Sequence, residues 1–314
     1  MIASDPPYCG DLLLTDLLNR YVSGRLGLGN NAAQQMAISV RLLDRHLGRP
    51  ATLSDLSEEL LVHWLRAMRQ AGRSPATCNS KRGSLLTLWR YAARLRLCPP
   101  APEVDRFVEP DRLPAVWSLE EVGRLLAAAS EERGRWGGVR ASLCWRIAIG
   151  LIWDTGVRIG SVLRARLASV DIDRGWWHVP AEHCKGGRGD RLFRLHAETM
   201  DFIKLSLSHP REMLVPYPRH PRRIFLDLKR ILARAGLPSD RSRMFHCLRR
   251  TAESYGAAAG GIEWAAAAVG HSVTVARRSY VSPMVAPGPT LADVLPRPIV
   301  VRGSAPNTPN ESTP

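Results

Sequence analysis

The chain has 314 residues, room for about two domains of ordinary size, and 45% of them are hydrophobic, enough for real cores. Its 44 Lys and Arg against 29 Asp and Glu give a formal charge of +15 and a pI near 10.4. That balance favours a polyanionic partner, because each cation–phosphate contact releases condensed counterions; a ribosomal or membrane-surface protein would also be basic, but neither needs so much apolar sequence spread over two globular segments.

Residues 1–10, with Pro6, Pro7 and Gly10, read as a loose start. From Asp11 the apolar positions Leu13, Leu14, Leu17, Leu18 and Tyr21 follow a helical period. A second helix is expected from Ala32 to Leu47, closed by Gly48 and Pro50, and a third from Ser54 to Ala71. A fourth begins at Ser74-Pro75, a cap followed by proline at the first helical position, and carries Leu85, Leu88, Trp89 and Ala92 on one face. Its other face shows Lys81, Arg82, Arg90, Arg94 and Arg96, which reads either as solvated surface or as a contact for the DNA backbone. These four helices form an expected all-α, DNA-binding domain over 11–98. Residues 99–117 hold Pro99, Pro100, Pro102, Pro110 and Pro114 and read as an extended linker, since so many prolines cannot continue a helix.

The second domain, expected over 118–283, opens with the capping-box pattern Ser118-Leu119-Glu120-Glu121. An apolar helix is expected over about 139–153, and Arg158 begins the next after the Thr155-Gly156 break. Gly175–Pro180 and Arg191–Leu195 read as two short strands joined by the Gly-rich turn at Lys185. Helices then fit about 197–208, 220–235, 246–259, 262–269 and 273–282. The fold class is therefore mainly α with a small β-hairpin or sheet in the second domain. Residues 284–314, rich in proline, read as a flexible tail, within which 290–295 could form a short amphipathic turn.

The basic residues are uneven: only four are lysines (Lys81, Lys185, Lys204, Lys229), so a lysine in a Gly-rich turn is informative. The six cysteines are scattered without zinc spacing. No signal peptide and no membrane span is read, and the chain is expected to be cytoplasmic and nucleoid-associated.

Six polar positions in the second domain make a set. Arg158 lies in Asp154-Thr155-Gly156-Val157-Arg158, Lys185 in Cys184-Lys185-Gly186-Gly187-Arg188-Gly189, His246 and Arg249 in His246-Cys247-Leu248-Arg249-Arg250, His271 in Gly270-His271-Ser272, and Tyr280 after Arg277-Arg278-Ser279. Breaking a phosphodiester needs an in-line nucleophile, cations on the nonbridging oxygens and a proton for the leaving hydroxyl. Arg158 and Arg249 offer forked, permanently charged donors. Lys185, unlike arginine, can give up a proton to the leaving group. His246, on the same helix face as Arg249, could accept the tyrosine proton; His271 could donate to a phosphate oxygen; Tyr280 would be the nucleophile. No metal or other cofactor is expected. Arg188 and Arg250 are further candidates for DNA contact.

Singly, each of these is an ordinary surface, turn or core residue. Together, as Thr-Gly-x-Arg at 155–158, the hairpin Lys185, His-x-Leu-Arg-x-Thr at 246–251, Gly-His-Ser at 270–272 and Tyr280, they resemble the tyrosine recombinase (phage integrase) family across the whole second domain. The helical first domain and Pro-rich linker are similar to that family's core-binding domain. The resemblance implies a two-domain, C-shaped clamp on double-stranded DNA, monomeric or dimeric when free and tetrameric on two DNA sites. It also implies strand exchange through a 3′-phosphotyrosine and a Holliday junction, and a segment after the tyrosine that docks on a neighbouring protomer. The family usually has an acidic residue where this chain has Ser161, and often histidine where it has Arg250. Rival readings are a type IB topoisomerase-like enzyme, a non-catalytic DNA-binding protein on the same fold, and an RNA-binding protein, against which the lack of aromatic stacking motifs speaks.

Overall fold

The computed structural model describes residues 12–184 and 189–286. Lys185, Arg188, most of the expected tail and its 290–295 segment lie outside the described residues. The chain divides into two compact units, Met1–Asp111 and Arg112–Pro314.

Among its described residues the first unit holds four α-helices: α1 (Leu14–Ser23), α2 (Asn30–Leu47), α3 (Glu58–Gln70) and α4 (Pro75–Arg94). Their apolar faces bury Leu14, Leu17, Val40, Leu43, Trp64, Leu65, Leu85 and Trp89 in one core. Ser57 and Ser74 cap α3 and α4, accepting from the Leu60 and Thr77 amides. The third helix thus starts at Glu58 and not at Ser54. Residues 53–55 instead form a separate 3₁₀ turn, closed by a Thr52–Asp55 capping box and by Arg49 donating to both Asp55 oxygens at 2.5 and 2.7 Å.

The Pro-rich segment forms no helix or strand, and its first half is fastened to α4. Val104 enters the core of this unit. The Asn79 side chain donates to the Phe107 carbonyl and accepts from the Phe107 amide, both at 2.9 Å, and donates to Glu109 at 2.7 Å. Part of the basic face expected on α4 is buried in this unit. Lys81 is 6% exposed, its Nζ donating to Gln35 Oε1 at 3.1 Å, and burial pushes its ammonium pKa down. Arg82 is half-buried with its Nε on the Val104 carbonyl at 2.6 Å. Arg90 and Arg94 remain exposed.

The second unit is organised around α6 (Ala141–Thr155), an almost wholly apolar helix whose Cys144, Trp145, Ala148, Leu151 and Ile152 are buried. Around it lie α5 (Leu119–Ser130), α8 (Ala197–Leu205) and α10 (Phe245–Gly260). A two-residue hairpin, β1 (Arg135–Trp136) with β2 (Val139–Arg140), precedes α6, and α7 (Ile159–Val162) follows it. A three-stranded antiparallel sheet is ordered β3 (Val170–Asp171), β4 (Trp176–Val179), β5 (Arg191–Arg194), with Trp177 opposite Phe193 on its buried face. Helices α9 (Ile224–Arg234), α11 (Ile262–Val269) and α12 (Val273–Ser279) follow in the described part of the unit. α10, α11, α12 and the segment after it close a small alanine-rich core of Ala257, Ala265, Ala266, Ala276 and Val281. The structure is mainly helical with small antiparallel sheets. β1, β2 and β3 go beyond the two expected strands, being too short for a period of two to register in sequence.

Candidate active site

Helix α6 stops at Thr155 because Gly156 takes the left-handed conformation, φ 62, open to glycine without steric cost. A Cβ there would meet a Val269 methyl carbon at 2.9 Å, so α11 packs onto the bare backbone of the turn. Thr155 Oγ1 closes the turn from inside, donating to the Leu151 carbonyl and accepting from the Val157 amide. Arg158 follows as the cap of α7, half-buried, and lines one recess with Arg249 and Gly270. Ser161 donates its Oγ to the His183 carbonyl at 2.7 Å, tying α7 to the chain just before Lys185.

His246 and Arg249 leave α10 one turn apart. Arg249 is 3% exposed; its Nη1 donates to the Gly156 carbonyl, and its Cζ lies 5.0 Å from the Tyr280 ring centroid. Burial pushes its pKa down, and neighbouring Arg158 adds to this, while Tyr280 and Glu253 oppose it; a guanidinium stays charged under such a load.

Gly270, φ 83, ends α11, where a Cβ would collide with the Arg191 guanidinium. Arg191 reaches from β5 to donate to the Ala267 and Ala268 carbonyls at 3.0 and 2.6 Å, binding the sheet to the helix that leads into His271. Ser272 caps α12, and Tyr280 leaves that helix at φ −126. Ser254, fully buried on α10, donates to the Tyr280 carbonyl at 3.1 Å and accepts from the Ser282 amide at 2.9 Å, gripping the chain on both sides of the tyrosine.

The Tyr280 ring, 7% exposed, is thereby enclosed. His271 stacks on it, centroids 4.7 Å apart at 28°, and His246 meets it edge-on at 5.8 Å and 79°. His271 Nδ1 lies 3.1 Å from the Ser272 carbonyl, and Nε2 lies 2.9 and 3.1 Å from the two Glu253 oxygens. Both ring nitrogens are engaged within the protein, so donation from His271 to a phosphate would require releasing one of these contacts. Burial pushes the Glu253 carboxyl pKa up, against the pull of His271 and Arg249.

The structure thus gathers His246, Arg249, His271 and Tyr280 in one cluster and sets Arg158 beside Arg249; Lys185 and Arg188 lie outside the described residues. Arg250 is half-buried. Among the described residues no group of three or more His, Cys, Asp or Glu is placed to hold a metal ion, and no helix is long and apolar enough to cross a membrane.

No protein-family model matches the chain. A curated Pseudomonas aeruginosa protein, "Putative tyrosine recombinase XerC", is 25% identical over 146 residues, 43% of this chain and 34% of that protein, so the match spans about a third of the relative's length. A lambda integrase dimer bound to a COC′ core site superposes at a TM-score of 0.66 and 18% identity, covering 85% of this chain and 94% of its own. The Tn1549 transposon integrase with transposon right end DNA gives 0.67 and 15%, covering 84% and 93%. A lambda integrase tetramer bound to a Holliday junction gives 0.64 and 18%, covering 84% and 76%. This chain has the tyrosine recombinase fold.

On this tyrosine recombinase fold, three residues go beyond the six expected from sequence: Glu253 and Ser254 around the tyrosine, and Arg191 in the recess with Arg158 and Arg249. Glu253 stands four residues after Arg249, so helical spacing alone puts it on the same face. Nothing local singles out Ser254 or Arg191, whose partners lie 26 to 28 and 76 to 77 residues away.

Proposed function

We propose that the chain is a site-specific DNA recombinase that cuts and rejoins duplex DNA through a 3′-phosphotyrosine at Tyr280. The observation that carries this is the enclosure of one phenol by a buried guanidinium and two imidazoles, with a second arginine in the adjoining recess. Tyr280 Oη attacks the phosphorus; its bond to phosphorus forms as the bond to the 5′ oxygen breaks. His246 takes the phenolic proton and Lys185 supplies one to the departing oxygen. Arg158 and Arg249 hold the nonbridging oxygens and stabilise the charge that builds there. His271 serves the site through its ring, stacked on the tyrosine. The tyrosine ester conserves the phosphodiester energy, so attack by a 5′ hydroxyl of a second duplex rejoins the strand without a high-energy cofactor. Two such rounds exchange both strands through a Holliday junction, with four protomers on two sites. The strongly basic composition and the DNA-bound state of the similar integrases support duplex DNA as the partner.

The test is covalent capture on nicked duplex DNA taken from the sequence flanking the chain's own gene. A denaturant-resistant adduct is expected from the wild type and none from Tyr280→Phe, with DNA binding retained, since only the phenolic oxygen is removed. An adduct from the Phe variant would place the nucleophile elsewhere; none from the wild type would refute the reading.

A further inference from the structure

Glu253 is a buried carboxylate to which the chemistry above gives no task. Its side chain is fully removed from solvent, one helical turn after Arg249, and a carboxylate in such a place is costly unless it is paired. Its pairing reaches out of its own helix to His271, with Nε2 at 2.9 and 3.1 Å from the two oxygens. At the other end of the ring, Nδ1 faces the Ser272 carbonyl at 3.1 Å. A carbonyl only accepts, so Nδ1 holds a proton, and the contact at Nε2 then contains a second proton shared with the carboxylate. Both placements of that proton, imidazolium–carboxylate or imidazole–carboxylic acid, leave the pair neutral. The imidazole is therefore fixed at both ends, and the plane so fixed is the one that stacks on Tyr280. No carboxylate comes to this cluster from position 161, where Ser161 spends its hydroxyl on the His183 carbonyl.

We infer that Glu253 is a positioning residue of the site: through His271 it holds the Tyr280 ring in the orientation that Arg249 and His246 face. This rests on the reading of Tyr280 as nucleophile for its consequence in catalysis, but not for its geometry. A group that merely stabilised the fold would do so whether or not the ring of His271 were present.

The test uses the full chain, four single variants and one double variant. Glu253→Met keeps the volume and removes the acceptors; Glu253→Gln keeps a hydrogen bond, since its amide can donate to Nε2 of a neutral ring. His271→Gln removes the ring, and Glu263→Gln changes the same charge at an exposed position of α11. In ¹H–¹³C spectra of the free protein, the His271 ring signals, identified by their loss in His271→Gln, are displaced by the stacked tyrosine. That displacement should collapse in Glu253→Met, survive largely in Glu253→Gln and stay unchanged in Glu263→Gln. In the adduct assay at saturating DNA, Glu253→Met should slow cleavage by roughly ten- to a hundredfold, the scale of a nucleophile held out of line, with DNA affinity unchanged. Glu253→Met should add nothing further in a His271→Gln background, as expected of two residues acting as one unit. His271 signals unmoved in Glu253→Met, or cleavage defects that multiply in the double variant, would overturn the positioning role. A wild type that forms no adduct would instead refute the recombinase reading, and the spectra would still decide the role of Glu253.

Discussion

Arg249 lies against the Tyr280 ring, Cζ 5.0 Å from its centroid, while its Nη1 donates to the Gly156 carbonyl. One side chain thus joins the tyrosine that follows α12 to the turn that launches Arg158. The two arginines share a proposed task at the phosphate, but only Arg249 is also part of the packing.

That difference is measurable. Arg158→Ala and Arg249→Ala should both abolish detectable adduct. Arg249→Ala should also cost roughly 1–3 kcal/mol of stability, because the buried Gly156 carbonyl loses its donor, and Arg158→Ala, half-exposed, should stay within about 0.5 kcal/mol. Urea denaturation of the two variants checks this; equal stabilities would mean that the Arg249–Gly156 contact contributes nothing to the fold.

The long elements were legible because each announces itself locally. α6 is a continuous apolar run ended by Thr155-Gly156, α4 has Ser74-Pro75 at its start, the 246–251 motif opens α10, and the 270–272 motif lies between α11 and α12. What was not legible depends on segments far apart in the chain. Lys81 looks like a surface lysine from its own helix; its burial against Gln35 and the covering of α4 by Val104 and Phe107 involve residues more than twenty positions away. Glu253 and Ser254 look like ordinary helix residues until α12 returns to α10. The start of α3 was misplaced because Ser54 and Ser57 are equal candidates by type, and only the Thr52–Asp55 box and the Arg49 pair commit Ser54 to a separate turn.

Asn79 fastens the Pro-rich segment to the first unit through three hydrogen bonds. Asn79→Ala strands the Phe107 amide and carbonyl, so a loss of roughly 1–3 kcal/mol is expected in that unit. Tryptic cleavage at exposed Arg106 should accelerate, as read by mass spectrometry. Unchanged cleavage would mean that Val104 and the Arg82 contact hold the segment without Asn79.

The Arg49 fork holds the Asp55 carboxyl well below the usual carboxylate range, with further bonds from Thr52. A depressed folded pKa means that the unfolded chain binds the proton first as pH falls. The stabilisation is therefore complete above the unfolded value of about 3.9 and is lost as pH drops below it. Asp55→Asn should be less stable than the wild type at pH 7, and the gap should shrink steadily below about pH 4. A gap independent of pH would show that the charge on Asp55 contributes nothing.

Lys185 is the proposed general acid, and its task separates it from the arginines. If it protonates the leaving 5′ oxygen, Lys185→Arg should be badly impaired although the charge is kept, because arginine holds its proton too tightly and its planar fork differs in shape. Replacing the 5′ bridging oxygen of the DNA by sulfur removes the need for that proton, since a thiolate leaves readily. Both Lys185→Arg and Lys185→Ala should then recover most of their cleavage rate on the sulfur substrate. Arg158→Ala should not recover, because charge on the nonbridging oxygens must still be neutralised. A lysine that only steadied the DNA backbone would give the opposite pattern: a modest loss, no selective rescue, and equal defects on the two substrates. Single-turnover cleavage of the oxygen and sulfur duplexes by the wild type and the three variants separates the cases, and equal defects on both would rule out the general-acid role.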